Sequence, residues 1–177
     1  KIMMKRILRE KLKAVRQGIP NVQRTEAQLL INKHILNFIA DTKAQIVAGY
    51  YPINSEVDVT PALKKCGIEV VLPSIRSEAL VFKKWNFEQE LINNGKFLEP
   101  NIGSEMMTPE IILLPTLGFD ESGARLGYGL GYYDKTLIHF PNAIFVIVAF
   151  SIQKLLEIPT ENHDIRAHII ITEDGIQ

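Results

Sequence analysis

Short apolar runs, each cut off by proline, glycine or polar residues, constrain this chain more than any other feature. Gln45–Tyr51 is closed by Pro52, Ile111–Leu114 ends at Pro115, and Ile68–Pro73, Ala143–Phe150 and Ile169–Thr172 have the same character. They have the length of strands, not helices, and too little alternation for a sheet with one wet face. Leu80–Trp85 alternates and reads as a weaker strand. Other stretches carry helical spacing. Ile7, Leu8, Leu12 and Val15 predict a helix over 3–17, ended by Gly18 and Pro20. Thr25 with Gln28 has the pattern of a capping box, and Ala27, Leu30, Ile31, Ile35, Phe38 and Ile39 carry a helix to about residue 40. Thr60–Pro61 reads as an N-cap followed by proline, with Gly67 as the stop. Tyr132–Phe140 and Ile152–Leu156 also read as helical, while residues 86–108 are polar and turn-rich around Asn93–Asn94–Gly95 and Pro100. Strand alternating with helix predicts an α/β fold: a mostly parallel sheet covered by helices. Such sheets bind ligands beyond the carboxyl ends of their strands, which directs attention to the long loop after Ile111–Leu114.

The 177 residues fit one domain, 1–177, able to bury roughly 70% of its unfolded surface without staples. Basic and acidic residues balance at 20 each, which argues against coating nucleic acid or an anionic membrane but leaves room for a local anion site. Cys66 stands alone, and no zinc-type spacing accompanies it, so a reducing, cytoplasmic setting is expected. No apolar run approaches the ~18 residues of a membrane span. Lys1–Gln17 has neither the apolar core nor the cleavage pattern of a signal peptide, and Met3 or Met4 is the expected natural start.

The loop Phe119–Asp134 is the most informative segment. Gly127, Gly129 and Gly131 alternate just before a predicted helix start. Glycine admits positive φ and close ligand approach, and free N–H groups entering a helix attract anions. Arg125 adds a donor suited to phosphate. The loop is neither a Walker loop, lacking Gly-Lys-Ser/Thr, nor the dinucleotide fingerprint. Spacing alone leaves both a phosphate site and a tightly turned loop open. Asp134 is either favourable charge in a first helical turn or a magnesium ligand. Lys5 and Arg9, four apart, share a helix face that is either solvated or aimed at phosphates. Glu56 follows the first strand; a pterin, with adjacent N–H donors, would want such a carboxylate. Tyr51, Trp85 and Phe97 are candidates for stacking on a flat ring or for plain packing. His34 and His139 read as surface or packing residues, and His163, before Asp164, either approaches the glycine loop or is simply part of a turn.

Leu114-Pro115, Gly118-Phe119-Asp120, Gly123, Arg125-Leu126-Gly127 and Gly131-Tyr132-Tyr133-Asp134 together resemble the 5-formyltetrahydrofolate cyclo-ligase family, also called 5,10-methenyltetrahydrofolate synthetases. Lys5 with Arg9, Glu56, and Pro159 followed by Asp164 extend the likeness over nearly the whole chain. Leu130 stands where many relatives have glycine, His168 where an acidic residue is common, and Phe97 where some have tryptophan. The resemblance implies a three-layer α/β fold akin to sugar-phosphate isomerases and CoA transferases. It implies that ATP phosphorylates the formyl oxygen of 5-formyltetrahydrofolate before ring closure to 5,10-methenyltetrahydrofolate. On this reading Lys5, Arg9 and Arg125 supply catalytic charge and, with Gly127, Tyr128, Gly129, Leu130, Gly131, Tyr132 and Tyr133, hold the nucleotide. Tyr51, Glu56, Phe97 and Tyr132 face the folate, and Asp134 and Asp164 approach Mg2+. Partners are small molecules, with no nucleic acid or membrane, and the protein is a monomer or weak homodimer. The alternatives are a sugar-phosphate isomerase-like enzyme using the loop for a monophosphate, and a nucleotide-sensing or RNA-binding module.

Overall fold

The computed structural model describes residues 2–177. In chain order it runs through α1 (Ile2–Gln17), α2 (Asn21–Ala40), β1 (Ile46–Ala48), α3 (Thr60–Lys65), β2 (Glu69–Arg76) and β3 (Ala79–Lys84). Two short strands, β4 (Ile92–Asn93) and β5 (Leu98–Glu99), then precede β6 (Ile111–Pro115), β7 (Gly118–Phe119) and β8 (Arg125–Leu126). The chain closes with α4 (Tyr132–Leu137), β9 (Ile144–Val148), β10 (Ile169–Thr172) and β11 (Gly175–Ile176).

The main sheet has the order β11-β10-β9-β6-β1-β2-β3. Strands β10, β9, β6, β1 and β2 are parallel, and antiparallel β11 and β3 close the two edges. Alternate residues of each strand serve opposite faces. Val47, Ile111, Leu113, Val146 and Val148 pack under α2 and α3 with Ile31, Ile35, Ile39 and Leu63. Ala48, Val71, Ile112, Leu114 and Phe145 pack on the other face with Leu137 of α4. Leu113 has no solvent exposure, so truncation to alanine should cost about 2–5 kcal/mol. This two-sided burial is why the strand sequences read as continuous apolar runs.

Several helix boundaries differ from the sequence expectation. α2 begins at Asn21 behind Pro20, and the Thr25 hydroxyl donates back to the Asn21 carbonyl at 2.9 Å. Thr25–Gln28 is therefore helix interior, not a capping box; the Gln28 side-chain oxygen instead accepts from the Asp58 amide at 2.8 Å. At α3 the N-cap position is Val59, not Thr60. Asp58 does the capping chemistry, accepting the Thr60 amide at 3.0 Å and hydroxyl at 2.7 Å. The segment read as a helix at 152–156 is a single 3-10 turn, Ser151–Gln153.

From β1 the chain moves outward to β2, then returns through β6 on the other side of β1. The strand order reverses there, opening a crevice at the carboxyl ends of β1 and β6. α1 does not lie on the sheet. Its Leu12 packs with Leu117, Ala124, Leu126 and Ile158 around the β7–β8 hairpin, which stands α1 beside that crevice.

Candidate active site

A cavity of about 520 Å3 occupies the crevice, within the usual ~300–1,000 Å3 of small-molecule sites. Lys5, Arg9, Tyr51, Glu56, Phe97, Arg125, Gly127, Tyr128, Gly129, Leu130, Gly131, Tyr132, Tyr133, Asp134 and Asp164 all line it. The fold thus brings these residues to one place, while Trp85, the third candidate for stacking on a flat ring, lies outside the lining.

The loop leaving β8 forms one wall. Gly129 and Gly131 have φ of 97° and 68°, a region that residues with a β-carbon enter at a cost. α4, which follows, is only six residues long. Its dipole is correspondingly small, so an anion held here would rest on the loop amides themselves.

α1 turns its basic face to this loop. Arg9 donates from Nε to the Gly127 carbonyl at 2.9 Å. The Lys5 ammonium sits 3.1 Å from Asp164 and 3.2 Å from Glu161, with its side chain 13% exposed. Burial works against the Lys5 charge, but the hydrogen bonds and charges of those two carboxylates outweigh it and raise its pKa. Burial likewise opposes ionisation of Asp164, and the Glu161 amide and Lys5 overcome it, holding the carboxyl below its ordinary value. His163 reaches the cavity, 3.6 Å from both Glu161 and Asp164.

Arg125 is a clasp. Nη2 donates to Asp134 Oδ1 at 2.8 Å and Nη1 donates to the Ile165 carbonyl. Asp134 Oδ1 also accepts the Ile165 amide at 3.2 Å. One ion pair therefore ties β8, the first turn of α4 and the segment around Ile165 together. Among the described residues no three His, Cys, Asp or Glu side chains gather as a metal-binding group. Asp134 and Asp164 are two cavity carboxylates, each already ion-paired.

The opposite wall carries Glu56, almost wholly buried, with Oε2 accepting the Ile53 amide at 2.9 Å. Burial pushes its carboxyl up to about 7, against the pull of the Ile53 N–H, the Arg16 charge and the Tyr128 hydroxyl. Tyr51 meets Trp85 edge-on at 6.1 Å. Trp85 belongs to the core and gives its indole N–H to the Gln89 carbonyl, while Phe97, beside β5, lines the cavity. Next to it, the Lys96 ammonium stands 5.3 Å over the Tyr132 ring. Sequence reasoning missed Lys96, for which no local signal exists. It also missed Arg16, which lies two helical turns beyond Arg9 and whose spacing could have found it.

The model of the 5-formyltetrahydrofolate cyclo-ligase family matches residues 1–173. The chain belongs to that family. It is similar to the 5-formyltetrahydrofolate cyclo-ligase of Haemophilus influenzae, 26% identical over 171 residues that cover 89% of this chain and 91% of the relative. The Mycolicibacterium smegmatis cyclo-ligase is 32% identical over 149 residues, 73% and 75% of the two chains. The NMR structure of Aquifex aeolicus 5,10-methenyltetrahydrofolate synthetase matches with a TM-score of 0.82 at 26% identity, covering 98% of this chain and 92% of that one. The expected family and α/β fold are borne out.

The cyclo-ligase motif read from the sequence divides into scaffold and wall. A β-carbon on Gly118 would stand 2.6 Å from Leu12, and one on Gly123, at φ 80°, would stand 2.4 Å from the Ala167 carbonyl oxygen. Asp120, almost wholly buried, accepts Ser122 Oγ at 2.5 Å and the amides of Ser122 at 2.9 Å, Ala124 at 3.4 Å and Ile158 at 2.7 Å. These residues seat the hairpin against α1 and the C-terminal segment. Residues from Arg125 onward form the cavity wall.

Proposed function

We propose that this protein uses ATP to close 5-formyltetrahydrofolate to 5,10-methenyltetrahydrofolate, releasing ADP and phosphate. What carries this reading is that Lys5, Arg9, Glu56, Arg125 and the loop 127–131 line one cavity at the sheet's switch point, in a chain of the cyclo-ligase family. In the first step the formyl oxygen attacks the γ-phosphorus. An oxygen–phosphorus bond forms, the bond to the β-phosphate oxygen breaks, and ADP leaves. In the second step the other folate nitrogen attacks the activated carbon. The carbon–oxygen bond breaks, phosphate departs, and the attacking nitrogen loses its proton.

Such a transfer needs position and positive charge rather than a covalent nucleophile. The amides of residues 127–133 cradle the phosphates, and Arg9, held across the loop by the Gly127 carbonyl, presents its remaining guanidinium N–H groups to them. Lys5 joins from the same helix face. Arg125 keeps the loop and α4 in register through Asp134. Glu56 takes the pterin N–H donors, and Tyr51, Phe97 and Tyr132 flank the ring. A magnesium ion fits only together with the nucleotide, because two ion-paired carboxylates supply too few oxygens for a protein cage. Magnesium ordinarily takes one or two carboxylates plus phosphate and water. Asp134 and Asp164 would hold it, and its charge would offset that on the transferring group.

We assign the reaction to the cytoplasm and to residues 1–177 acting as one domain, monomeric or weakly dimeric, with ATP and the folate as its partners. The balanced charge and the single cysteine agree with this. No described helix is long and apolar enough to cross a membrane. The test is the rise in methenyl absorbance on mixing protein, ATP, magnesium and 5-formyltetrahydrofolate. No rise without ATP and a rise with it is the expected result; ATP-independent conversion or none at all overturns the reading.

A further inference from the structure

Arg16, at the end of α1, is 1% exposed, one of the largest fully buried side chains of the protein. A buried guanidinium is tolerated only where its donors are met. Nε donates to Ser55 Oγ at 3.3 Å and Nη1 to the Thr116 carbonyl at 3.0 Å. Nη2 donates to the Asn54 carbonyl at 2.6 Å and to the Tyr128 hydroxyl at 2.5 Å. These acceptors belong to three separate segments: the turn before Glu56, the residue just past β6, and the glycine loop, with Asn54 and Tyr128 lining the cavity.

The turn needs this restraint. Asn54 and Ser55 have φ of 48° and 64°, two consecutive non-glycine residues in the left-handed region. Residues with a β-carbon persist in that region only where the surrounding structure over-determines them. Arg24 helps from the other side, donating to the Ser55 carbonyl at 3.0 Å and to the Arg16 carbonyl while its guanidinium lies 5.3 Å over the Phe150 ring. Glu56 follows at once and is the nearby carboxylate that answers the Arg16 charge. Tyr128, Tyr133 and Tyr50 are the other titratable groups beside Glu56, contributed by the glycine loop, α4 and the end of β1.

We propose that Arg16 is a positioning residue that locks the Glu56 turn and the Tyr128 loop against each other, so that bound folate and bound nucleotide meet in reacting register. The inference rests on the reading that Glu56 faces the folate and the glycine loop the phosphates. Only a planar fork reaches acceptors on three elements at once; an ammonium supplies the charge without the geometry. What Arg16 holds is the placement of the two halves, and a displacement of about 1 Å between reacting groups can cost a hundredfold in rate.

The experiment compares Arg16→Lys, Arg16→Met and Tyr128→Phe in the full chain. It measures Kd for 5-formyltetrahydrofolate alone and ADP alone by calorimetry, kcat at saturation, and Tm. In both Arg16 variants kcat should fall by about thirtyfold or more while each Kd stays within about threefold. Lysine should not rescue. Tyr128→Phe, which deletes one acceptor, should fall part of the way. Wild-type kcat in either folded Arg16 variant, rescue by lysine, or a loss in which both affinities fall with Tm overturns the proposal. If Arg16→Met does not fold, the lysine and phenylalanine variants decide by the same criteria. Glu56→Gln separates the two levels. Unchanged folate Kd there removes the reading of the site. Weakened folate binding there, with Arg16 variants of normal kcat, removes only the positioning role.

Discussion

Arg9 lies across the glycine loop as a brace: its Nε holds the Gly127 carbonyl at 2.9 Å, and a β-carbon placed on Gly129 would stand 3.1 Å from its guanidinium carbon. The basic face of α1 is thus part of the cavity wall and not a solvated surface. Replacing Arg9 by alanine should lower kcat/KM by about tenfold to a hundredfold, the loss of a charge-assisted contact worth about 1.5–3 kcal/mol. Lys5→Ala should act in the same direction and also free Asp164 and Glu161 from their ion pair. Steady-state kinetics at saturating magnesium, with unfolding curves alongside, check both. Near-wild-type kcat/KM in both variants, with stability changed by less than about 0.5 kcal/mol, would return these residues to ordinary surface chemistry.

Gly129→Val should weaken nucleotide binding by about tenfold or more while the fold survives. The substitution forces a β-branched residue to φ 97° and drives it into Arg9. Gly127 is the control on the same loop, since a β-carbon there meets nothing and its φ is not positive. Calorimetric titration with ADP distinguishes them: Gly127→Ala should bind more tightly than Gly129→Val, and equal affinities would remove loop conformation as the cause.

Glu56 carries a pH dependence whose sign is fixed by burial. Its carboxyl is pushed up from 4.5 to about 7 in the folded protein. Between those values the native state holds more protons than the unfolded chain, so the contribution to stability is full below about 4.5 and is lost as pH rises through about 7. The amount is on the order of 3 kcal/mol. Glu56→Gln should flatten that part of the ligand-free stability profile, measured by urea unfolding from pH 4.5 to 8. Because a pterin's N–H donors favour the carboxylate, folate binding by the wild type should tighten as pH rises through about 7 and release a proton. Identical stability profiles for wild type and Glu56→Gln would contradict both statements.

Asp164→Asn should raise the magnesium concentration needed for half-maximal nucleotide binding by about tenfold or more. It also breaks the pair with Lys5, so the readout is magnesium-dependent binding of ADP by calorimetry rather than activity alone. If ADP binds Asp164→Asn with wild-type magnesium dependence, Asp164 serves only to position Lys5.

The strands were legible in the sequence because a strand buried on both faces is nearly continuous in apolar residues, as Ile111–Leu114 and Ile169–Thr172 are, and too short for a helix. The positive-φ positions of the glycine loop were legible at 129 and 131, where glycine is a local requirement, but Asn54 and Ser55, with φ of 48° and 64°, carried no such sign. Local chemistry misled where neighbours in sequence offered a cap that tertiary partners supplied instead: Thr25 bonds inside its own helix, and Asp58 caps α3 in place of Thr60. What the sequence by itself determined is the set of residues with chemistry to offer, from Lys5 and Arg9 to Glu56 and the loop 125–134. Only the tertiary structure decided which partners they take. Arg125 is committed to Asp134, Lys5 to an acid pair some 160 residues away, and Arg16 to three elements it meets nowhere along the chain. Periodicity and turn chemistry act over a few residues and leave a trace in spacing. A guanidinium's choice among distant carbonyls is made by the packing of α1 on the β7–β8 hairpin, and no local pattern records it.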